Sequence, residues 1–390
     1  MQIIPYFLEH KKKYSGWRQT IHSYPELAFQ EVATSDFVAE KLNEFGLTVA
    51  RGIGKTGLVA TLKNGSSKRA IGIRADMDAL PIQELNDFAH KSKRPGVMHA
   101  CGHDGHTVML LAAAEYLASN LFFDGVIHFI FQPAEEGEAG ARAMMDDGLF
   151  QNFPVESVYA VHNWPGLDVG KMAMRPGPAM AAFDTFKAEI KGKGGHAALP
   201  HLASDTIQVA AQIVLAWQTI VSRNIKPTEP AVLSVTRMHG GEAWAVVPKS
   251  VELGGTVRTF SEQVQNLVEE RMKKIAGNIC EANDCEFSWH YQKRYPATVN
   301  SDKETKIALS AAQDVCGMEF VDPSTDMVTG SEDFGFMLQE KPGCYAFIGN
   351  GPGEGGCMLH SPTFDFNDDV TPIGATYWVN IVKKVLSSSP

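Results

Sequence analysis

The nine residues from Met98 to His106 put five side chains that can bind or polarise a metal close together: His99, Cys101, His103, Asp104 and His106. Gly102 and Gly105 lie between them and allow the backbone to turn tightly. An apolar, alanine-rich run from Val108 to Leu121 follows and predicts a helix starting near Asp104 or Gly105. The donors therefore fall just before, or on, the first turn of a buried helix. Thiolate with imidazole is a zinc-like donor set. The alternative is a glycine-rich turn carrying exposed histidines, so other parts of the chain must supply the missing donors.

Three short apolar runs do so. Ala70 to Arg74 leads into Ala75-Asp76-Met77-Asp78, Val126 to Phe131 into Gln132-Pro133-Ala134-Glu135-Glu136, and Val158 to Val161 into His162. Near-continuous apolar runs suit buried parallel strands. Helical runs at 107–120 and 138–148 precede the second and third, which is βαβ order. Each donor lies just past the C-terminal end of its strand, the edge at which open α/β sheets build their sites. Alone, each would read as a loop carboxylate or loop histidine; together with Cys101 and His103 they point to one metal centre.

Two hydrolytic metals a few ångströms apart need about three protein donors each, with one shared, and a bridging water. The candidates are Cys101, His103, Glu136, His162 and His360. A carboxylate must also take a proton from the water and pass it to a leaving amine. Glu135 suits this, because adjacent side chains diverge and Glu136 can ligate while Glu135 faces the water. From the pair alone an acidic helix N-terminus is the better reading; Pro133 stopping the strand and the three other donor groups nearby move the catalytic reading ahead. Asp76 is the candidate for orienting a ligand imidazole, or else a cap at the strand end. Asp104 and His106 fall to supporting or helix-start positions, and His99 has no role. His196, after Gly192, Gly194 and Gly195, reads as a turn histidine, and Arg258 as a surface ion pair or a carboxylate clamp.

Composition bounds the rest. The chain has 390 residues, 44% of them hydrophobic and 21% charged, which fits a globular protein of two domains. A net charge of −10 argues against nucleic acid or an anionic membrane as partner. Cys101, Cys280, Cys285, Cys316, Cys344 and Cys357 form no C-x-x-C pair, which suits free thiols in a reducing compartment. The apolar run Ile3 to Leu8 precedes its lysines, the reverse of a signal peptide, and no run is long enough to span a membrane. A cytoplasmic protein is expected.

Helices are predicted at 6–20 and 30–45. Gly52, Gly54 and Gly57 make a G-x-G-x-x-G pattern, but strand residues Leu58 to Leu62 follow it instead of a helix, which excludes a dinucleotide site. From about 178 to 293 the order is strand, helix, strand, strand, helix, strand, a ferredoxin-like α+β module. It is placed as an insertion, leaving 1–177 and 294–390 as one α/β metal-binding domain with a mixed sheet flanked by helices. The glycine-rich run Gly349 to Gly356 leads toward His360.

The blocks His22 to Glu31, Arg74 to Pro81, Met98 to His106, Gln132 to Glu136, His162 to Gly166, Gly192 to Ala197, Gly254 to Arg258, Gly330 to Phe334 and Leu359 to Pro362 resemble, in order, the M20 metallopeptidases. They are most similar to the amidohydrolase branch, with its hippurate hydrolases, N-acyl-amino-acid amidohydrolases and auxin-conjugate hydrolases. The resemblance implies a two-metal, zinc-peptidase-like catalytic domain interrupted by a lid that forms a homodimer. It implies Cys101, His103, Glu136, His162 and His360 as ligands of two divalent ions, zinc or manganese, with cobalt or nickel as further options. Glu135 then matches the general base, His196 a lid histidine that polarises the scissile carbonyl, and Arg258 a lid arginine on the substrate carboxylate. The expected reaction is hydrolysis of an N-acyl amino acid; the alternatives are a dipeptidase, an N-acetyl-diamino-acid deacetylase, or a ligand-binding homologue without catalysis. In Gly240 to Pro248 the family's usual asparagine is replaced by Ala245, which removes a substrate-facing amide and bears on specificity.

Overall fold

The computed structural model describes residues 1–352 and 358–387. Part of the glycine-rich run before His360, with Cys357, lies outside them. The chain divides into two compact units, Met1–Ala179 with Val299–Asp326 and Asp333–Pro390, and Met180–Thr298 with Met327–Glu332. The short return Met327–Glu332 into the second unit has no counterpart in the sequence reading, which left that stretch with the α/β domain.

The first unit is built on an eight-stranded mixed sheet. Its centre is three parallel strands, Gly125–Gln132, Ala70–Asp76 and Ser157–Pro165, with Gly343–Gly351 parallel beyond them. Ala70–Asp76 is buried along its whole length, as a central strand covered on both faces must be. Gly57–Asn64 and Thr48–Ile53 extend one edge antiparallel. The glycine pattern at 52–57 is thus the turn of a β-hairpin, in keeping with the excluded dinucleotide reading.

Helices His103–Ser119 and Thr371–Leu386 lie against this sheet, and nearly every residue of both is buried. Their side chains join Ile71, Ile73, Phe129, Phe131 and Tyr159 in one core. Burying such side chains contributes roughly 1.5–3 kcal/mol each, which holds the strand ends in fixed register. Asp76 pairs with Gln132, and Arg74 with Ala160, so Asp76, Gln132 and His162 reach the same edge of the sheet. The third strand runs on through His162 to Pro165, so His162 projects from the strand itself.

The second unit carries a four-stranded antiparallel sheet in the order Ala231–His239, Ser250–Thr259, Ala182–Lys191, Glu286–Tyr295. With helices Thr206–Arg223 and Glu262–Ala282 this is the ferredoxin-like arrangement. Alternation along Ala182–Lys191 buries Phe186, Ala188 and Ile190 under both helices and leaves Lys187 and Lys191 exposed. Among the described residues no helix is long and apolar enough to cross a membrane.

Candidate metal centre

The Met98 to His106 stretch folds as its glycines require. Helix His103–Ser119 starts after Gly102, whose φ is 93°. A β-carbon at Gly102 would lie 2.2 Å from Asn163 Oδ1, and one at Gly105 would lie 2.3 Å from the Phe366 ring. Both positions therefore need glycine. Cys101 and His103 are buried. In the first turn Asp104 accepts from His22 Nδ1 at 2.8 Å and lies 3.4 Å from Arg18 Nη1, a supporting place. His99 is buried, and its ring makes no hydrogen bond among the described residues.

All five candidate ligands belong to the first unit, and their donor atoms converge. Those of Cys101, His103 and His162 lie within 4.8 Å of one another, as do those of Cys101, Glu136 and His360, and those of His103, Glu135 and Glu136. Cys101 Sγ is 3.4 Å from His162 Nε2, and His360 Nε2 is 3.2 Å from Glu136 Oε1. His360 comes from a distant loop that is tied down by its own N–H, which donates to Ala100 O at 2.7 Å.

The rings are oriented from behind. His103 Nδ1 donates to Asp78 Oδ1 at 3.1 Å, and His162 Nδ1 donates to Asn163 O at 2.7 Å. Each bond keeps a proton on Nδ1 and so makes Nε2 the nitrogen that can face a metal ion, the usual support of a metal-bound imidazole. His103 Nε2 and Glu136 Oε1 are buried and make no hydrogen bond among the described residues. Buried polar atoms left this way are rare, and here both point into the convergent donors. The thiol, imidazole and carboxylate donors fit divalent metal ions.

Asp78 also accepts from Glu136 N–H at 2.9 Å, so one carboxylate orients two candidate ligands. This orienting residue was missed in the sequence, where Asp76 was preferred. Asp76 instead accepts from His106 Nδ1 at 2.6 Å and from Arg74 Nη1 at 2.7 Å. It still lies 3.8 Å from His103 Nε2. His106 Nε2 accepts from Asn163 N–H at 2.9 Å, so its second nitrogen is also taken and it cannot ligate. Asp78→Ala is expected to weaken metal binding by about 10- to 100-fold, read by calorimetric titration of the metal-free protein. Unchanged affinity would contradict the orienting role.

Charges follow from burial and neighbours. Burial pushes the Cys101 thiol well above its usual value, with Glu136 and Glu135 adding to it. Burial alone would lower His103, but Asp76 and Asp78 outweigh it and push the imidazole up to about 10. Burial, then His106, holds His162 well below the usual range. Burial would raise Asp76, but His103, Arg74 and His106 keep it well below the carboxylate range.

Glu135 and Glu136 hang from an unusual turn. Ala134 has φ 53° and ψ 43°, a left-handed conformation that costs a residue with a β-carbon roughly 1–2 kcal/mol. Its C=O accepts from Gly140 N–H at 2.9 Å. A β-carbon at Gly140 would lie 1.7 Å from Pro133 O, so the return of the chain also needs glycine. Glu135 is buried, and the Asp333 N–H points at its Oε1 from 3.4 Å. Asp333 is itself held by Arg74 at 3.1 Å and by Gln132 at 2.8 Å.

His196 and Arg258 belong to the second unit. Gly195–His196 pairs with Val246–Val247, and Ala197 N–H donates to Ala245 O at 2.9 Å. The departure at Ala245 therefore lies in the turn that leads directly into the strand paired with His196. His196 is exposed, and its Nδ1 accepts from Ala198 N–H at 3.1 Å, which leaves the proton on Nε2. Arg258 is half-buried, lies 4.1 Å above the Phe183 ring and donates to Ser331 Oγ.

Comparison with known proteins shows which family the chain is related to. Residues 72–384 match the family described as Peptidase family M20/M25/M40. The chain is 40% identical to a hippurate hydrolase of Campylobacter jejuni subsp. jejuni, over 99% of its own length and all of that protein's. It is 39% identical to an N-acetyl-L-cysteine deacetylase of Bacillus subtilis, over 97% of its own length and 89% of that protein's. A crystal structure of a Bacillus subtilis protein, described as a dinuclear metal binding peptidase, aligns with TM-score 0.85 and 32% identity over 98% of this chain and 99% of that one. With end-to-end relatives and a family match over most of its length, the chain belongs to the M20 peptidases, in their amidohydrolase branch.

Proposed function

We propose that the protein hydrolyses the amide bond of N-acyl amino acids, releasing a carboxylic acid and an amino acid, at a centre of two divalent metal ions. The observation that carries this is Glu135, a buried carboxylate whose oxygen lies within 4.8 Å of the donor atoms of His103 and Glu136. A cluster meant only to bind metal needs no such carboxylate beside its ligands.

Cys101 belongs to both donor triads, with His103 and His162 in one and with Glu136 and His360 in the other, which suits it to a shared position. Ions held there, zinc or manganese, with cobalt or nickel also acceptable to these donors, supply Lewis acidity toward a water and the scissile carbonyl. Glu135 takes the proton of the attacking water and returns it to the leaving nitrogen. His196, with its proton on Nε2, donates to the developing oxyanion. Arg258 pairs with the carboxylate of the amino-acid half. Asp76 acts through His106 and Arg74, beneath the ligands.

The relatives' names support the substrate class: hippurate, N-acetylcysteine and conjugates of IAA with amino acids are all N-acyl amino acids. The second unit serves as lid and as the surface of a homodimer. The free thiols among the described residues suit a cytoplasmic setting.

The test is a panel on metal-loaded protein: hippurate, N-acetyl amino acids and IAA–amino acid conjugates against dipeptides and N-acetyl diamino acids. Turnover of the first set at least tenfold above the second is expected. Preference for dipeptides or diamino acids would redirect the assignment, and no turnover with any metal would favour a ligand-binding homologue.

A further inference from the structure

The hairpin turn at 52–57 and the acidic residue Glu31 both look unrelated to the metal centre, yet they meet behind the turn that carries Glu135. Glu31 lies just before helix Val32–Glu44 and is fully buried. Its side chain does not cap that helix. It reaches across the domain instead. Glu31 Oε1 accepts from Ala134 N–H at 2.8 Å, a residue 103 positions away, and Oε2 accepts from Thr56 Oγ1 at 2.5 Å. Thr56 is in the hairpin turn. The next residue, Gly57, lies so close to Pro133 that a β-carbon there would be 2.8 Å from its Cδ. The hairpin therefore touches the turn at Pro133 and steadies the carboxylate that holds Ala134.

We infer that Glu31, locked by Thr56, is a positioning residue that holds Ala134 left-handed and so aims Glu135 and Glu136. Ala134 has one N–H and one C=O, and both are fixed, the first by Glu31 and the second by Gly140. Alanine does not favour positive φ, so this conformation needs an external anchor. The N–H at Ala134 is buried, and without Glu31 it would lose its acceptor. The backbone would then gain by rotating toward the right-handed or extended region. That rotation would swing the next two side chains, Glu135 and Glu136, away from the donors they face. Burial pushes the Glu31 carboxyl up to about 7, but a carboxyl oxygen accepts from an N–H in either protonation state, so the anchor does not depend on charge.

The inference rests on the reading of Glu135 as general base and Glu136 as ligand. It separates from a merely stabilising role through the backbone of Ala134. Glu31→Ala is expected to lower kcat at saturating metal by roughly 10- to 100-fold with little change in KM, as a misplaced catalytic group does. The same variant should bind zinc or manganese about tenfold more weakly in calorimetric titration of the metal-free protein. Glu31→Gln keeps an accepting oxygen and should stay within about threefold of the parent in both. Ala134→Gly in the Glu31→Ala background should recover most of both losses, because glycine adopts positive φ without an anchor.

A Glu31→Ala protein with parental kcat and metal affinity would overturn the inference. So would losses that Ala134→Gly does not repair. If Glu31→Ala alone does not fold, the double variant decides: a folded, active double variant supports the inference, and an unfolded one overturns it. Glu135→Gln is measured beside them. If it turns over like the parent, the general-base reading fails whatever Glu31 does; if it is inactive while Glu31→Ala is unimpaired, only the role of Glu31 fails.

Discussion

Glu135→Gln is expected to leave the chain folded and able to bind metal while kcat falls by about 10²- to 10⁴-fold. The substitution keeps the size of the side chain and an oxygen for the Asp333 N–H, which points at Glu135 Oε1 from 3.4 Å. What it removes is the ability to take a proton. Glu136→Gln, one residue on, should behave differently. Glu136 Oε1 is buried, 3.2 Å from His360 Nε2, and makes no hydrogen bond among the described residues, which is the environment of a ligand oxygen. An amide there is a poorer donor to a metal ion, so metal affinity should fall and turnover should recover in part as metal is added. The measurement is kcat on an N-acyl amino acid across a metal titration for both variants. Undiminished kcat in Glu135→Gln would remove the proposed mechanism, and equal loss of metal in both variants would make Glu135 a ligand.

That the two glutamates would lie among the other donors was legible in the sequence, because strand ends, glycines and donor types are local signals, and their donor atoms do lie within 4.8 Å of His103; which of them takes a proton and which ligates is the part proposed above. Near-continuous apolar strands with helices between them predicted a parallel centre to the sheet, and that sheet is present. The strand, helix, strand, strand, helix, strand order likewise predicted the ferredoxin-like sheet. What supports the donors was not legible. Asp78 meets its partners His103 and Glu136 across 25 and 58 positions of sequence, and nothing local separates it from Asp76. Strand alternation gives no guidance, because the strand stops at Asp76. Ala134 is a sharper case. Its left-handed backbone determines where two glutamates point, yet alanine carries no turn signal. The nearest clue is Gly140, which reads as one residue of the helical run expected at 138–148 until its closeness to Pro133 is seen. The return of Met327–Glu332 to the second unit was hidden for the same reason: a short segment without periodicity is assigned by its partners alone.

Stripping metal with a chelator is expected to abolish turnover, and the affinity with which metal returns should rise steeply with pH. In the metal-free chain the Cys101 thiol is raised well above its usual value, first by burial and then by Glu136 and Glu135. His103 would be lowered by burial but is carried up to about 10 by Asp76 and Asp78. Near neutral pH both groups therefore hold a proton, and both must lose it to become ligands. His162 is already neutral, since burial and then His106 hold it well below the usual range, and it adds no proton to the exchange. The sign follows. Below the raised values, every fall in pH makes deprotonation of Cys101 and His103 harder, so binding weakens; every rise strengthens it. Each displaced proton is worth roughly tenfold in apparent affinity per pH unit, so the pair gives up to about 100-fold. Calorimetric titrations with zinc or manganese between about pH 6 and 8, repeated in buffers of different ionisation enthalpy, count the released protons directly. Affinity that stays flat over this range would mean that Cys101 and His103 do not both enter the metal centre. Asp78→Ala should separate the two groups. It removes the direct partner of His103 and none of the groups that raise Cys101 most, so His103 should move down from about 10 while Cys101 stays protonated. Asp76, which raises His103 most, stays in place, so the pH slope should fall below that of the parent first at the alkaline end of the range, even as overall affinity drops through loss of orientation.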